Sequence, residues 1–150
     1  MAPTPTWQRR LTRELKTFAT NHLEGIRLLE SDDLFLWKLL IEGPPGTLYA
    51  GEQFTLQFRF PADYPMTSPQ VTFVGTAPIH PHIYTNGHIC LNILYDHWTP
   101  ALTVESVCVS IQSMLASATE KRSPVDNDIH IWRNQQNPKD TPWRFYNDAV

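Results

Sequence analysis

The side chains most capable of chemistry in this sequence lie within residues 80–94. This stretch reads His-Pro-His-Ile-Tyr-Thr-Asn-Gly-His-Ile-Cys-Leu-Asn-Ile-Leu and carries one cysteine, Cys90, among three histidines. A cysteine is inert as a core residue but becomes a strong nucleophile when its neighbours stabilise the thiolate. Asn86-Gly87 is a strong turn signal, because both residues tolerate positive φ. We therefore expect the chain to reverse just before Cys90 and to expose its sulfur.

The residues around Cys90 leave three interpretations open. In the first, Cys90 merely fills a strand, as free thiols often do. In the second, it is the nucleophile of a cysteine–histidine hydrolase with His82 or His88 as the base. In the third, it carries an acyl group as a thioester and passes that group to an amine. An extended segment places His88 and Cys90 on the same side, where His88 can tune the thiol. The histidine spacing lacks a second tight pair of ligands, which argues against zinc.

The composition argues against several classes of function. The chain has 150 residues and a formal net charge of −3, which fits one domain without affinity for nucleic acid. It has no run of 18 apolar residues, and its first residues lack the apolar core of a signal peptide. We therefore expect no membrane contact and a cytoplasmic or nuclear location. The two cysteines, Cys90 and Cys108, are expected to stay reduced.

Hydrophobic periodicity predicts the elements that position Cys90. Spacings of three and four between apolar residues predict a helix over roughly 6–19 and a core-facing helix after Pro100 that includes Cys108. Four β-prone stretches predict an antiparallel meander with strands near 24–30, 35–42, 54–60 and 71–74. Periodicity is lost beyond residue 118, and the polar, proline-broken stretch at 133–142 predicts a mobile or loosely packed tail.

The predicted first helix also carries a basic stripe. Arg9, Arg13 and Lys16 lie on a face away from the apolar residues. Such a stripe is either an ordinary solvated surface or a docking surface for an acidic partner, and the sequence does not separate the two.

The order of motifs over residues 6–125 resembles that of the ubiquitin-conjugating enzymes. The matching motifs are Arg9-Arg10-Leu11-Thr12-Arg13-Glu14-Leu15, Glu42-Gly43-Pro44-Pro45-Gly46-Thr47-Leu48-Tyr49-Ala50-Gly51, Phe60-Pro61-Ala62-Asp63-Tyr64-Pro65, Ser68-Pro69, His80-Pro81, Asn86-Gly87-His88-Ile89-Cys90-Leu91 and Trp98-Thr99-Pro100-Ala101-Leu102-Thr103. The resemblance implies an α+β domain with the ubiquitin-conjugating fold: an N-terminal helix, a four-stranded antiparallel meander and a central helix after the cysteine. It places the core domain at 1–125 and leaves 126–150 as an atypical, mobile tail.

The resemblance also implies an activity and its partners. Cys90 is expected to receive ubiquitin from an activating enzyme as a thioester and to pass it to an amine of a substrate protein, guided by a RING or U-box ligase. No metal or cofactor is implied, since ATP is used by the upstream activating enzyme. Two surfaces follow from the matching positions: ligase-facing loops with Met66, Thr99, Pro100 and Ala101, and an activating-enzyme surface with Arg9, Arg10 and Arg13.

Two positions depart from the usual pattern of the family. The first is His82, which replaces the asparagine of His-Pro-Asn. Its ring can donate a hydrogen bond to the oxyanion or act as a base. Alternatively, the ring only preserves the packing of the loop. The second is Ser123, which precedes Pro124 where lysine-directed members usually place an acid. Two cations, Lys121 and Arg122, come just before it.

The second departure concerns which amine is used. Near pH 7.4 a lysine amine of pKa ~10.4 is about 0.1% neutral, whereas an α-amine of pKa ~7.7 to 8.0 is roughly 20 to 30% neutral. An acid that helps lysine is dispensable for an α-amine, and cations disfavour an incoming ammonium. Both departures, and the Val125-Asp126-Asn127 that follows, are similar to W-type members, which attach one ubiquitin to protein N-termini. The alternatives are an ordinary lysine-directed enzyme and a non-catalytic ubiquitin-binding variant of the same fold.

Overall fold

A helix, a four-stranded sheet and two further helices follow one another along residues 3–133 and 138, which the computed structural model describes. The strands pair in the order β1-β2-β3-β4, each antiparallel to the next. The predicted helix, meander and central helix are therefore confirmed. Among the described residues no helix is long and apolar enough to cross a membrane. The elements are α1 Thr6–Thr20, β1 Ile26–Asp33, β2 Leu36–Glu42, β3 Gln53–Arg59, β4 Gln70–Val74, a 3-10 turn Asn92–Leu94, α2 Val104–Ala116 and α3 Asn127–Arg133.

Helix α1 is held to the start of α2 by a buried carboxylate. Glu14 accepts hydrogen bonds from the Arg10 guanidinium at 2.9 Å, from the Tyr64 hydroxyl at 2.5 Å and from the backbone N–H of Val104 at 2.7 Å. A buried carboxylate is tolerated because its charge is paired and its oxygens are hydrogen-bonded. On the same side of the helix Leu11 is fully buried in the core. Apolar packing and this network together set the position of α2.

Helix α2 packs its apolar stripe into the core. Thr103 and Ser106 form a capping box that satisfies free backbone donors at its first turn. The apolar spacing predicted Cys108 as a core residue, and its side chain is fully buried, which confirms that prediction. The sheet supplies the opposite wall of the core through alternate residues of its inner strands, as in the buried Phe54, Leu56 and Phe58 of β3.

The region after residue 118 is more ordered than its sequence predicts. Residues Asn127–Arg133 form helix α3, and the side chain of His130 is 4% exposed. This helix is short and lacks a clear apolar period, so its position depends on tertiary contacts. Residues 134–137 and 139–150 lie outside the described residues. For them the mobile tail stays a prediction.

Candidate active site

Cys90 lies at the end of a short antiparallel hairpin formed by residues 82–90, here called the cysteine hairpin. Its two arms pair through an isolated bridge between Ile83 and Ile89. The Cys90 N–H donates to the carbonyl of His82 at 2.8 Å. The turn predicted from Asn86-Gly87 is therefore present and brings Cys90 beside His82.

The second arm of the cysteine hairpin extends the sheet at β4. The Phe73 N–H donates to the Gly87 carbonyl at 2.9 Å, and Thr72 pairs with His88. Gly87 has a φ of +93°, a conformation that favours glycine. Pairing with β4 thus fixes the position and orientation of the hairpin arm that carries Cys90.

The pairing of the arms sorts their side chains onto two faces. Directly opposite residues of an antiparallel pair project to the same face, and the faces alternate along each arm. Ile83 and Ile89 belong to the hydrophobic core. The other face, here called the cysteine face, carries His82, Tyr84, His88 and Cys90. The expected placement of His88 and Cys90 on one side agrees with this register.

Residues 126–130, here called the covering segment, lie against the cysteine face. The Tyr84 hydroxyl donates to Oδ1 of Asp126 at 2.8 Å. The ring of His130 stacks on Tyr84 with centroids 3.7 Å apart, and its Nε2 shares a hydrogen bond with Nδ1 of His88 at 2.8 Å. The covering segment therefore forms part of the wall around Cys90.

The expectation that the turn exposes the sulfur is wrong, because Cys90 is only 2% exposed. The turn does reverse the chain, but the core covers one face of the hairpin and the covering segment packs against the other. Burial, and then the nearby Asp126 carboxylate, raise the pKa of the Cys90 thiol to about 12. The free thiol is therefore protonated at neutral pH, and its proton must leave as the sulfur attacks. Cys90 and Cys108 are both free thiols.

The histidines near Cys90 are neutral. Burial lowers the pKa of His80 and of His88 to about 4, and neighbouring His130 adds to the effect at His88. The pKa of His82 and of His130 is also lowered, chiefly by burial. A neutral ring cannot stabilise a thiolate by charge and can act only through its dipole. The predicted effect of His88 on the Cys90 thiol stays a prediction.

His82 takes part in two different sets of contacts. Its backbone is fixed, because its carbonyl accepts from Cys90 and its N–H donates to Nδ1 of His80 at 2.9 Å. His80 in turn donates from Nε2 to the Met114 carbonyl of α2 at 3.0 Å. The His82 ring, in contrast, makes no hydrogen bond within residues 3–133 and 138. The backbone supports the loop, while the ring keeps its N–H available as a donor.

The two cations before Ser123 form salt bridges with different carboxylates. The Lys121 ammonium pairs with Glu52 at 2.6 Å, on the connection between β2 and β3. Arg122 pairs with Glu120 at 2.5 Å, and its charge contributes to the lowered pKa of His82. Of these two cations, Arg122 is therefore the one whose charge bears on the cysteine face.

The predicted ligase-facing residues lie on two neighbouring exposed loops. Met66 is 71% exposed, and Thr99, Pro100 and Ala101 are exposed as well. The indole N–H of Trp98 donates to the carbonyl of Pro65 at 2.8 Å, which fastens one loop to the other. The structure thus brings these four residues to one side of the molecule.

The three arginines predicted to bind an activating enzyme differ in availability. Arg9 and Arg13 are exposed on α1. Arg10 instead pairs with Glu14 and donates to the Leu102 carbonyl at 2.6 Å, with a side chain 13% exposed. Its guanidinium is therefore occupied in holding α1 to the loop before α2, and the exposed basic surface consists of Arg9 and Arg13.

Three residues of the site have no role in the sequence interpretation: Tyr84, Asp126 and His130. Alternation along an extended arm is a signal for Tyr84, since it lies two residues after His82. No local signal predicts the contacts of Asp126 or His130, because each contacts a partner 42 residues away in the chain.

Comparisons with known proteins agree over almost the whole chain. The sequence profile of a family described as ubiquitin-conjugating enzyme matches residues 10–146. The chain is 49% identical over 148 residues to the probable ubiquitin-conjugating enzyme E2 W of Dictyostelium discoideum, covering 98% of this chain and 99% of that one. It is 52% identical over 146 residues to ubiquitin-conjugating enzyme E2 W of Caenorhabditis elegans, covering 95% and 96%. The crystal structure of ubiquitin conjugating enzyme E2 UbcA1 from Agrocybe aegerita superposes with a TM-score of 0.88 at 45% identity, covering 91% and 100%. The family match extends to residue 146, and the division into a core domain at 1–125 and a tail at 126–150 stays a prediction.

Proposed function

Because the chain belongs to the ubiquitin-conjugating enzyme family, we propose that it carries ubiquitin as a thioester on Cys90 and transfers it preferentially to N-terminal α-amino groups, one ubiquitin to each. Ubiquitin conjugation itself is the activity of the family. Cys90 is supported as the carrier because it lies on the face of the hairpin that is turned away from the core, whereas Cys108 is a member of the core cluster.

The observation that carries the choice of amine is the weak basicity of the cysteine face. The pKa of His82, His88 and His130 is lowered, so none of these rings is a base matched to a lysine ammonium. Ser123 occupies the position before Pro124 and supplies no carboxylate there. Neither these rings nor Ser123 therefore removes a proton efficiently from an incoming ammonium, which favours an amine that is already neutral. At neutral pH an α-amine is neutral far more often than a lysine amine.

The proposal is tested by discharge of the loaded enzyme. Enzyme charged with ubiquitin by activating enzyme and ATP is separated from ATP and mixed with one of two matched peptides. One has a free N-terminus and no lysine, and the other is N-acetylated with a single lysine. We expect discharge onto the first to be at least about tenfold faster at pH 7.4, because its amine is neutral far more often.

The pH dependence provides an internal control for this comparison. The rate with the α-amine should rise with pH and level off near about pH 9, where an amine of pKa ~7.7 to 8.0 is more than about 90% neutral. The rate with the lysine peptide should keep rising over the same range. A faster discharge onto the lysine peptide at pH 7.4 refutes the preference and returns the protein to the lysine-directed class.

Within this function we assign the His82 ring as a donor to the oxyanion formed during transfer. The assignment is supported by its ring N–H, which has no acceptor within the described part of the chain. Loss of one oxyanion donor typically lowers the rate about 100-fold. We expect His82→Ala to slow discharge by about that factor with little change in melting temperature, whereas His82→Asn, which keeps an N–H donor, retains most activity.

A role of the ring in packing alone gives a different result. His82→Ala and His82→Asn would then lower the melting temperature and slow loading and discharge to a similar extent. Thermal melts of both variants beside single-turnover loading and discharge assays separate the two roles.

The partner surfaces form the remaining part of the proposal. The exposed loops with Met66, Thr99, Pro100 and Ala101 offer apolar contact area for a RING or U-box ligase. Arg9 and Arg13 offer positive charge for an acidic surface of the activating enzyme. The substrates are proteins with accessible N-termini.

A further inference from the structure

Two exposed apolar side chains lie in and just before the covering segment. Val125 is 77% exposed and Ile129 is 57% exposed. Single exposed apolar residues are ordinary, but these two lie four residues apart, where the chain turns into α3. That spacing places two side chains next to each other on one side of a helical turn. Val125 and Ile129 are here called the apolar pair.

The stability of the protein does not account for the apolar pair. Isoleucine is a weaker helix former than alanine, leucine or lysine, so a solvent-facing Ile129 does not strengthen α3. Neither side chain packs against the hydrophobic core that the described residues form. Apolar residues grouped on a surface often mark a contact with another molecule. The apolar pair is therefore a candidate for such a contact.

The contacts of the covering segment show which way the apolar pair faces. Asp126 and His130 both contact Tyr84, so their row of the helical turn faces the cysteine hairpin. Asn127 accepts the N–H of Thr85, in the turn of the hairpin, at 3.0 Å. Successive helical residues are rotated by about 100°, so the residues just before Asp126 and His130 lie on the side opposite Asn127. The apolar pair therefore faces away from the hairpin turn, toward the open end of the hairpin.

The open end of the cysteine hairpin carries the reacting sulfur. The Cys90 N–H donates to the His82 carbonyl there, one step beyond the bridge formed by residues 83 and 89. In this register Cys90 lies diagonally across from Tyr84, at about 7 to 8 Å. Tyr84 is also the residue that the covering segment contacts. The apolar pair therefore borders the approach to Cys90.

We propose that the apolar pair binds the side chains that follow the reacting α-amine in the substrate, at the second to fourth positions of its N-terminal segment. This inference rests on the proposed function and adds a preference among substrates to it. Three extended residues span about 10 Å, which carries the segment from Cys90 past Tyr84 to the apolar pair. The preferred substrates therefore have apolar residues directly after their first residue.

The residue types of the apolar pair suit such a contact. Branched side chains have few rotamers, so Val125 and Ile129 lose little conformational entropy when they are covered. The contact area is small, however, and the ordering of a flexible peptide opposes binding. We therefore expect burial of leucine side chains against the pair to lower the half-saturating peptide concentration by about tenfold.

The test compares two lysine-free peptides of equal length that share their first residue and a free N-terminus. One has leucine at the second and fourth positions, which lie on one face of an extended chain, and the other has serine at both. Enzyme loaded with ubiquitin is separated from ATP and mixed with a series of peptide concentrations. For the wild type, the leucine peptide should reach half-maximal discharge at about tenfold lower concentration, with maximal rates within about twofold.

Four variants show whether the apolar pair causes this difference. Val125→Ser and Ile129→Ser should each reduce the ratio between the two peptides by about threefold, and the double variant should abolish it. Ile129→Leu keeps an apolar side chain and should retain most of the preference. Leu29→Ser is the matched control, because it removes an exposed apolar residue from β1, at the far edge of the sheet from the hairpin. It should leave the ratio unchanged. Thermal melts check that each variant is folded.

The outcomes that overturn the proposal are distinct. A wild type that does not distinguish the peptides refutes it, as does a double variant that keeps the wild-type preference. If the double variant slows discharge onto both peptides equally, the pair supports the covering segment and does not bind substrate. The amine preference is measured with the separate pair of lysine and α-amine peptides. Loss of the leucine preference in an enzyme that still prefers the α-amine refutes the substrate contact alone. A leucine preference in an enzyme that prefers lysine refutes the α-amine preference alone.

Discussion

Replacement of Cys90 by alanine is expected to abolish the ubiquitin adduct that reducing agents cleave. The thioester requires a sulfur at this position, and Cys108 is fully buried in α2 and cannot replace it. Cys90→Ser should still form an adduct, but a slower one, and that adduct should resist reducing agents because an oxygen ester has no thiol exchange. Electrophoresis of loading reactions with and without dithiothreitol measures both effects.

Cys108→Ala is the matched control for this prediction. It removes the other thiol from a well-packed position, which costs stability through a small cavity. It should nevertheless load with ubiquitin normally at temperatures where it is folded. A reducible adduct on Cys90→Ala, or its loss only in Cys108→Ala, would move the carrier role away from Cys90.

Replacement of Gly87 by alanine is expected to destabilise the protein by about 3 kcal/mol or more and to prevent loading. The positive φ alone costs an alanine about 1 to 2 kcal/mol. In addition, a Cβ on Gly87 would lie 2.1 Å from the carbonyl oxygen of Phe73, so the hairpin must move away from β4. Overpacking of this kind adds about 1 to 3 kcal/mol. Urea unfolding measures the stability, and a loading assay measures the displacement of Cys90.

Gly75→Ala separates the two causes. Gly75 has a φ of +75°, but a Cβ there would meet no atom within 4 Å. It should therefore lose only the conformational part, about 1 to 2 kcal/mol, and keep its activity. Equal losses of stability in the two variants would show that the close approach to Phe73 contributes nothing.

The fold was predictable because its main elements follow local patterns. The spacing of Trp7, Leu11, Leu15 and Phe18 predicts α1, and strict alternation predicts β3 with Phe54, Leu56 and Phe58 buried. Each of these patterns reflects burial of one face of a regular element, so it is visible within a few residues. Helix α3 has no such pattern, and the sequence interpretation missed it.

The candidate site was predictable only in part. Cys90 and the turn at Asn86-Gly87 are evident in the sequence, since reactive residue types and turn dipeptides are local features. The burial of Cys90 is not, because the covering segment that lies against its face comes from residues 126–130. Arg10 shows the same limit: the family resemblance implies a docking role for it, whereas its contacts with Glu14 and the Leu102 carbonyl occupy it within the molecule.

The α+β fold and the family resemblance are evident from the sequence, as are the candidate nucleophile Cys90 and the two departures at His82 and Ser123. These features depend on residue type and short spacing, which the chain displays directly. Tertiary packing determines that Cys90 is enclosed, that the pKa values of the surrounding histidines are lowered and that Asp126 contacts Tyr84 on the cysteine face. The reason is physical: pKa values and contacts depend on which groups are desolvated together, and here those groups are brought together from positions 42 residues apart.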